Sequence, residues 1–299
     1  MNKGSILIAT LIIISIAASL ALSINNLSII KVSNIKNLHD NYQAAIYANN
    51  IIKFLKETLR QQKDIITSNN RIFKLPQIPI ENGIIKVSIE PTNAKINLNL
   101  LKMGINATRM RILSALNLLL EQNNLPSNYI EPFLKWIGYQ DSNNEVFPTI
   151  WSLRANYKKK PLDTLYEIKY IPLCGPKLYS ILKNNFTVIG NNPKININFA
   201  NEQTLSLYLP EIAQYVPDII KYREKSPFVD VSMIRNICKI PDQTYLKILP
   251  FITVNSDIFY VKILVKINHT NYYFHCIIEK DKDYVKVLRY IESGDYDYF

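Results

Sequence analysis

From Ser5 to Ile30 the chain carries no charged residue, and from Ser5 to Arg71 it carries neither Pro nor Gly. An uncharged apolar stretch of about 20 residues is long enough to cross a bilayer as a helix. The single Lys3 ahead of it favours keeping a short N-terminus in the cytoplasm. Beyond the run, Leu38, Tyr42, Ala45, Asn49, Ile52, Leu55 and Leu59 recur at spacings of three and four, the period of one helical face. The spacing predicts one continuous helix, membrane-embedded at its start and amphipathic afterwards, about 85 Å long if it reaches Arg60 at 1.5 Å per residue.

The first residues admit three readings. A secretory signal peptide would be cut near Ala21-Leu22-Ser23, where small residues are suitably arranged. A plain anchor is not cut at all. A prepilin-type leader is cut after a Gly that precedes the apolar run, as Gly4 does in Lys3-Gly4-Ser5, and the apolar helix is retained. The uninterrupted helix behind the run favours the third, since a signal peptide needs no helix behind it.

The remaining chain is globular in composition, 48% hydrophobic and 20% charged. A net charge of +11 invites nucleic acid or anionic lipid as a partner. The lysines are scattered, however, and Lys158-Lys159-Lys160 is the one tight run, so an abundance of Asn, Ile, Lys and Tyr explains the balance better. Cys174, Cys238 and Cys276 match no metal spacing, and an odd count cannot pair completely within the chain. One disulfide is compatible with an oxidising compartment, without the spacing saying which. His39, His269 and His275 are isolated. No nucleophile elbow, P-loop or zinc-protease motif is present, and we expect no enzyme.

In order, Lys74–Ile80 reads as an extended, Pro-bearing connector and Gly83–Glu90 as an alternating strand. Ala94–Asn99 reads as a second short strand. Helical periodicity follows at Thr108–Gln122 and Tyr129–Ile137, then a polar loop from Asp141 to Pro148, a helix opened by Pro161-Leu162-Asp163, and another at Pro176–Leu182. Asn201 is a suitable N-cap for Glu202–Leu209. Short helices are expected at Asp218–Glu224, Ser232–Ile237 and Asp242–Leu249. Phe259–Ile267, Tyr272–Glu279 and Tyr284–Tyr290 then read as strands. Strands on both sides of a helical block predict an α+β fold, one sheet with an all-α domain inserted between its strands.

The chain resembles the type II secretion minor pseudopilin K family over nearly its full length. The likeness is carried by Lys95-Ile96-Asn97-Leu98-Asn99, Trp136-Ile137, Pro161-Leu162 through Glu167-Ile168, Ile195-Asn196-Ile197-Asn198-Phe199-Ala200, Tyr222-Arg223, Pro227-Phe228 and Val254–Tyr260, in the family's order behind a leader-like start. It implies a pilin-like long N-terminal α-helix packed on an antiparallel β-sheet, with a large helix-hairpin-helix, SAM-like domain inserted. The implied divisions are a leader (1–4), a membrane helix (5–30), the amphipathic helix with the first strands (31–99), the helical insertion (100–250) and the last strands (251–299).

The resemblance further implies a non-catalytic scaffold at the tip of a periplasmic pseudopilus, promoting its assembly and protein export across the outer membrane. The protein would be single-pass in the inner membrane of a Gram-negative bacterium, with its globular part in the periplasm. Its implied partners are the minor pseudopilins I and J, other pseudopilins, the inner-membrane platform, and the prepilin peptidase that cuts Gly4–Ser5 and leaves a methylated N-terminus. Other pseudopilins carry Glu at the fifth mature position, where it pairs with a neighbour's amine. Ala9 stands there in this chain, as suits a subunit with nothing above it. Leu38, Tyr42, Ile52, Leu55 and Leu59 are the expected assembly stripe. The family usually has acidic residues after its Trp, and some members bind calcium in this domain; this chain has Gly138 and Gln140 at those two positions, with Asp141 and Glu145 nearby. Hard cations want six or more oxygen ligands, so we expect no cofactor and a solvated loop.

The rival reading is a membrane-anchored helix-hairpin-helix receptor for DNA uptake. Such hairpins hold phosphate through glycine-bracketed backbone N–H groups. The hairpin at Leu207–Ile212 has no Gly and carries Pro210 and Glu211, and that at Pro172–Lys177 has one Gly and a second Pro. We therefore expect no nucleic acid as a partner.

Overall fold

The computed structural model of the chain describes residues 3–61, 75–139, 157–172, 174–281 and 284–294. Side chains are described from residue 11 onward, with 27–30 and 33 left aside. Helix α1 (Lys3–Gln61) runs without a break, as the absence of Pro and Gly predicts, and spans about 90 Å. Its inward residues Ala44, Ala48, Ile52, Leu55 and Leu59 fall at intervals of four, four, three and four, and all are buried. The two alanines let the helix approach the sheet closely before the larger residues take over.

That sheet has five antiparallel strands in the order β1-β2-β7-β8-β9. They are β1 (Ile78–Ile80), β2 (Gly83–Pro91), β7 (Ile258–Ile267), β8 (Thr270–Lys280) and β9 (Val285–Ser293). Ile85 and Ile89 of β2, Phe259, Val261, Ile263, Val265 and Ile267 of β7, and Phe274, Cys276 and Ile278 of β8 form one core with α1. The alternation that places every second residue inward is the period of a pleated strand. The turn between β7 and β8 is tied to the helix, since Asn268 donates from Nδ2 to Asp40 at 3.0 Å.

The neighbours β2 and β7 are paired over their whole length, Gly83 opposite Ile267 and Pro91 opposite Phe259, yet residues 92–257 lie between them. Those residues form the helical insertion, with its own core. It comprises β3 (Ile96–Asn97), α2 (Leu100–Met103), α3 (Asn106–Gln122), α4 (Glu131–Ile137), α5 (Gly175–Leu182), β4 (Phe186–Thr187), β5 (Ile195–Asn196), α6 (Glu202–Tyr208), α7 (Val216–Lys225), α8 (Met233–Ile237), α9 (Asp242–Ile248) and β6 (Ile252–Thr253). The expected insertion over 100–250 is thus wider at both ends. Ala94–Asn99, read as a strand of the first unit, contributes β3, which pairs in parallel with β4 inside the insertion.

The insertion consists of two halves closed by one device. In the first, Asn97 accepts from the N–H of Asn99 at 2.9 Å. Asn99 in turn accepts from Leu162 N–H at 2.8 Å and donates to the carbonyls of Leu162 and Val188 at 2.9 and 2.8 Å. In the second, Asn196 accepts from the N–H of Asn198 at 2.9 Å, and Asn198 exchanges two 2.8 Å bonds with the backbone of Phe228. Parallel pairs β3–β4 and β5–β6 close the two halves. All four asparagines are buried. Each supplies the paired donor and acceptor that a buried backbone segment requires.

Several helix boundaries move for local reasons. The helix expected from Pro161 starts at Leu165 instead, because Leu162 is held by Asn99 and Thr164 forms a capping box with Glu167. Asn201 does cap α6, its Oδ1 accepting from Thr204 N–H at 2.7 Å. Ile78–Ile80, read as connector, pairs with β2 as an edge strand, where Pro79 is tolerated. The polar loop expected over 141–148 lies outside the described residues.

Candidate assembly surface

Two surfaces of α1 have different chemistry. Leu55 is fully buried against the sheet, and Ile52 and Leu59 lie beside it. Leu38 is 71% exposed, and Ile35, Tyr42, Ile46 and Phe54 are exposed with it. At 100° per residue, Ile35, Leu38, Tyr42 and Ile46 form one strip about 120° around the helix from the buried one. The expected assembly stripe is therefore split. Ile52, Leu55 and Leu59 hold the helix to its own sheet, while Leu38 and Tyr42 remain open to another chain. Heptad-like spacing could not separate the two, because both strips have the same period.

Toward the N-terminus, Leu11, Ile12, Ile13, Ile14, Ile16, Leu20, Leu22 and Ile24 are all exposed. Among the described residues no helix is long and apolar enough to cross a membrane. Residues 5–10 and 27–30 of the expected span are outside those whose side chains are described. Gly4, Ser5 and Ala9 fall within the helical backbone of α1, their side chains likewise outside the description.

The hairpins that could have held phosphate are occupied internally. Arg111 of α3 grips Glu211 through two nitrogens at 2.9 and 2.7 Å and donates to the Tyr208 carbonyl at 2.8 Å. Its guanidinium also lies 4.2 Å from the Phe251 ring centre. The hydrogen bond from Arg111 holds the Glu211 carboxyl below its ordinary value. At the other hairpin, Gly175 N–H donates to the Ile171 carbonyl at 3.0 Å, and a Cβ there would sit 2.3 Å from the Lys169 carbonyl oxygen. Gly175 is thus required for close packing within the insertion. Leu173 lies outside the described residues.

The three cysteines are buried and free. Burial pushes Cys174 and Cys238 up to about 11 and Cys276 up to about 12. Such thiols are almost wholly protonated at neutral pH and poor nucleophiles. His275 is also buried, its Nδ1 2.7 Å from the Tyr260 hydroxyl. Among the described residues no cluster of His, Cys, Asp or Glu is arranged to hold a metal ion, and Asp141 and Glu145 are outside them.

No protein-family model matches the sequence, and no curated protein matches it. The fold does match. A chain of the solved GspK-GspI-GspJ complex, from the Type 2 Secretion System of enterotoxigenic Escherichia coli, superposes with a TM-score of 0.69 at 18% sequence identity. The match covers 88% of this chain and 100% of that one. The chain shares that fold: a long helix on an antiparallel sheet, with a helical insertion in the sheet's connectivity.

Proposed function

We propose that this chain is a K-type minor pseudopilin, a non-catalytic subunit at the tip of a type II secretion pseudopilus. The observation that carries the reading is the interrupted sheet, in which β2 and β7 pair over nine positions across an insertion of residues 92–257. The same architecture occurs in a structure whose components form a GspK-GspI-GspJ complex. On this reading the leader is cut at Gly4–Ser5, and the apolar start of α1 is seated in the inner membrane of a Gram-negative bacterium. The globular part then projects into the periplasm. The strip of Ile35, Leu38, Tyr42 and Ile46 packs against I- and J-type minor pseudopilins, with other pseudopilins and the inner-membrane platform below.

The physical logic supports the uppermost position. Ala9 provides no carboxylate to pair with the amine of a neighbouring subunit. The bulky insertion is accommodated most easily where nothing stacks above it. Helix strips of this kind bury apolar area at roughly 25 cal/mol per Å². The test is immunogold labelling of purified fibres from the native host. Label at one end is expected, and label along the whole length would overturn the tip position.

A further inference from the structure

The five-stranded sheet treats its two edges differently. At one edge β1 is three residues long and contains Pro79, which cannot donate a backbone hydrogen bond. At the other, β9 is nine residues long, with a bulge where it passes Ile277 and Ile278, and among the described residues no strand pairs with its outer side, an edge of about 30 Å. Leu288 and Tyr290 on it are 44% and 39% exposed. Where β9 begins, it flanks a groove of about 390 Å³ lined by Lys53, Lys56, Glu57, Arg60, Tyr284 and Val285. Three cations there face one carboxylate, and Glu57 lies 3.9 Å from Arg60. On the strand itself Lys286 adds a further cation, Glu292 lies at the far end, and Arg289 is engaged by Asp163, donating to its carbonyl at 2.9 Å.

We propose that the β9 edge takes an extended, acidic segment of a neighbouring subunit as a sixth strand, with its carboxylates over Lys53, Lys56 and Arg60. Main-chain hydrogen bonds along an edge supply affinity, and side chains at alternate positions supply choice of partner. Cations on an edge strand discourage indiscriminate pairing. Here they also select for an acidic occupant, because like charges opposite one another are destabilising. A second copy of this chain is disfavoured on the same ground, since its net charge is +11. The inference rests on the reading of the chain as a pseudopilus subunit and names the kind of contact it makes there.

The experiment is hydrogen exchange on the full-length chain in detergent, alone and in complex with I- and J-type minor pseudopilins. The outward-facing amides of residues 285–293, those not bonded to β8, should exchange at least tenfold more slowly in the complex, and Lys53→Glu with Lys56→Glu should weaken association on the order of tenfold at low salt, less at high salt. A complex that forms while β9 exchanges as in the free chain would overturn this inference and leave the functional reading intact. Failure to form any complex would remove both. Protection of those outward-facing amides already in the free chain would also overturn it. Independence from concentration would assign the edge to the chain's own acidic tail, and dependence on concentration to a second copy.

Discussion

Arg111 and Glu211, one hundred residues apart, are joined by two hydrogen bonds that fasten the first half of the helical insertion to the second. The guanidinium is largely enclosed, with the Phe251 ring on one side and the Tyr208 carbonyl at its end. Arg111→Ala should lower the stability of the insertion by about 1–2 kcal/mol, read as a reduced urea midpoint by tryptophan fluorescence. The pair also predicts a pH dependence. Because the folded-state value of Glu211 is lowered, its contribution is complete above the ordinary carboxylate range and disappears as pH falls through the lowered value. Glu211→Gln should flatten that acid-side decline, and an unchanged profile would contradict the assignment.

The asparagine pairs make a stronger prediction. Asn99 and Asn198 are buried, and each bonds both the N–H and the carbonyl of a remote residue. Replacing either with Ala leaves two or more buried backbone groups without partners, at about 1–3 kcal/mol each. Asn99→Ala should therefore destabilise the insertion by about 3 kcal/mol, detectable as faster limited proteolysis between residues 100 and 250. Asn97 and Asn196 are the natural companions for double-mutant cycles.

If the exposed strip of α1 is the assembly surface proposed above, substitutions there and in the buried strip should have separate effects on assembly and folding. Leu55→Asp places a carboxylate in a fully buried site and should unfold the helix–sheet unit. Leu38→Asp and Tyr42→Asp leave the core untouched, so circular dichroism should match the parent while co-purification with the partner subunits falls. Loss of helical signal in the Leu38 variant would show that this strip has an intramolecular role.

Cys174, Cys238 and Cys276 should be silent toward a thiol-specific chromogenic reagent at pH 8 in the native protein, because burial raises each of them to about 11 or 12. All three should react within minutes once urea exposes them. A fast-reacting thiol in the folded state would contradict the burial of that residue.

Much of this architecture was legible in the residues, and the reasons are physical. The helix followed from a 3.6-residue period and the absence of Pro and Gly, and it runs to Gln61. Strand β2 could be read from its alternation, and β7, β8 and β9 from runs of β-branched and aromatic residues bounded by turns, although β8 is buried continuously from Phe274 to Ile278. What could not be read was non-local. Two-residue strands β3, β4, β5 and β6 carry no periodicity, and they exist only through partners many residues away. Asn-x-Asn recurs at 97–99 and 196–198, but its meaning as a clamp depends on Leu162 and Phe228, which lie far along the chain. The apolar stripe of α1 was legible as apolar and not as two faces, since only the sheet's position decides which residues turn inward.

The most direct test is native mass spectrometry of the full-length chain co-expressed with I- and J-type minor pseudopilins and released from detergent. One dominant 1:1:1 complex is expected, with this chain starting at Ser5, and its loss on Leu38→Asp with Tyr42→Asp. Recovery of the chain as a monomer under conditions where the other two associate, or a mature N-terminus near Ile24, would contradict it.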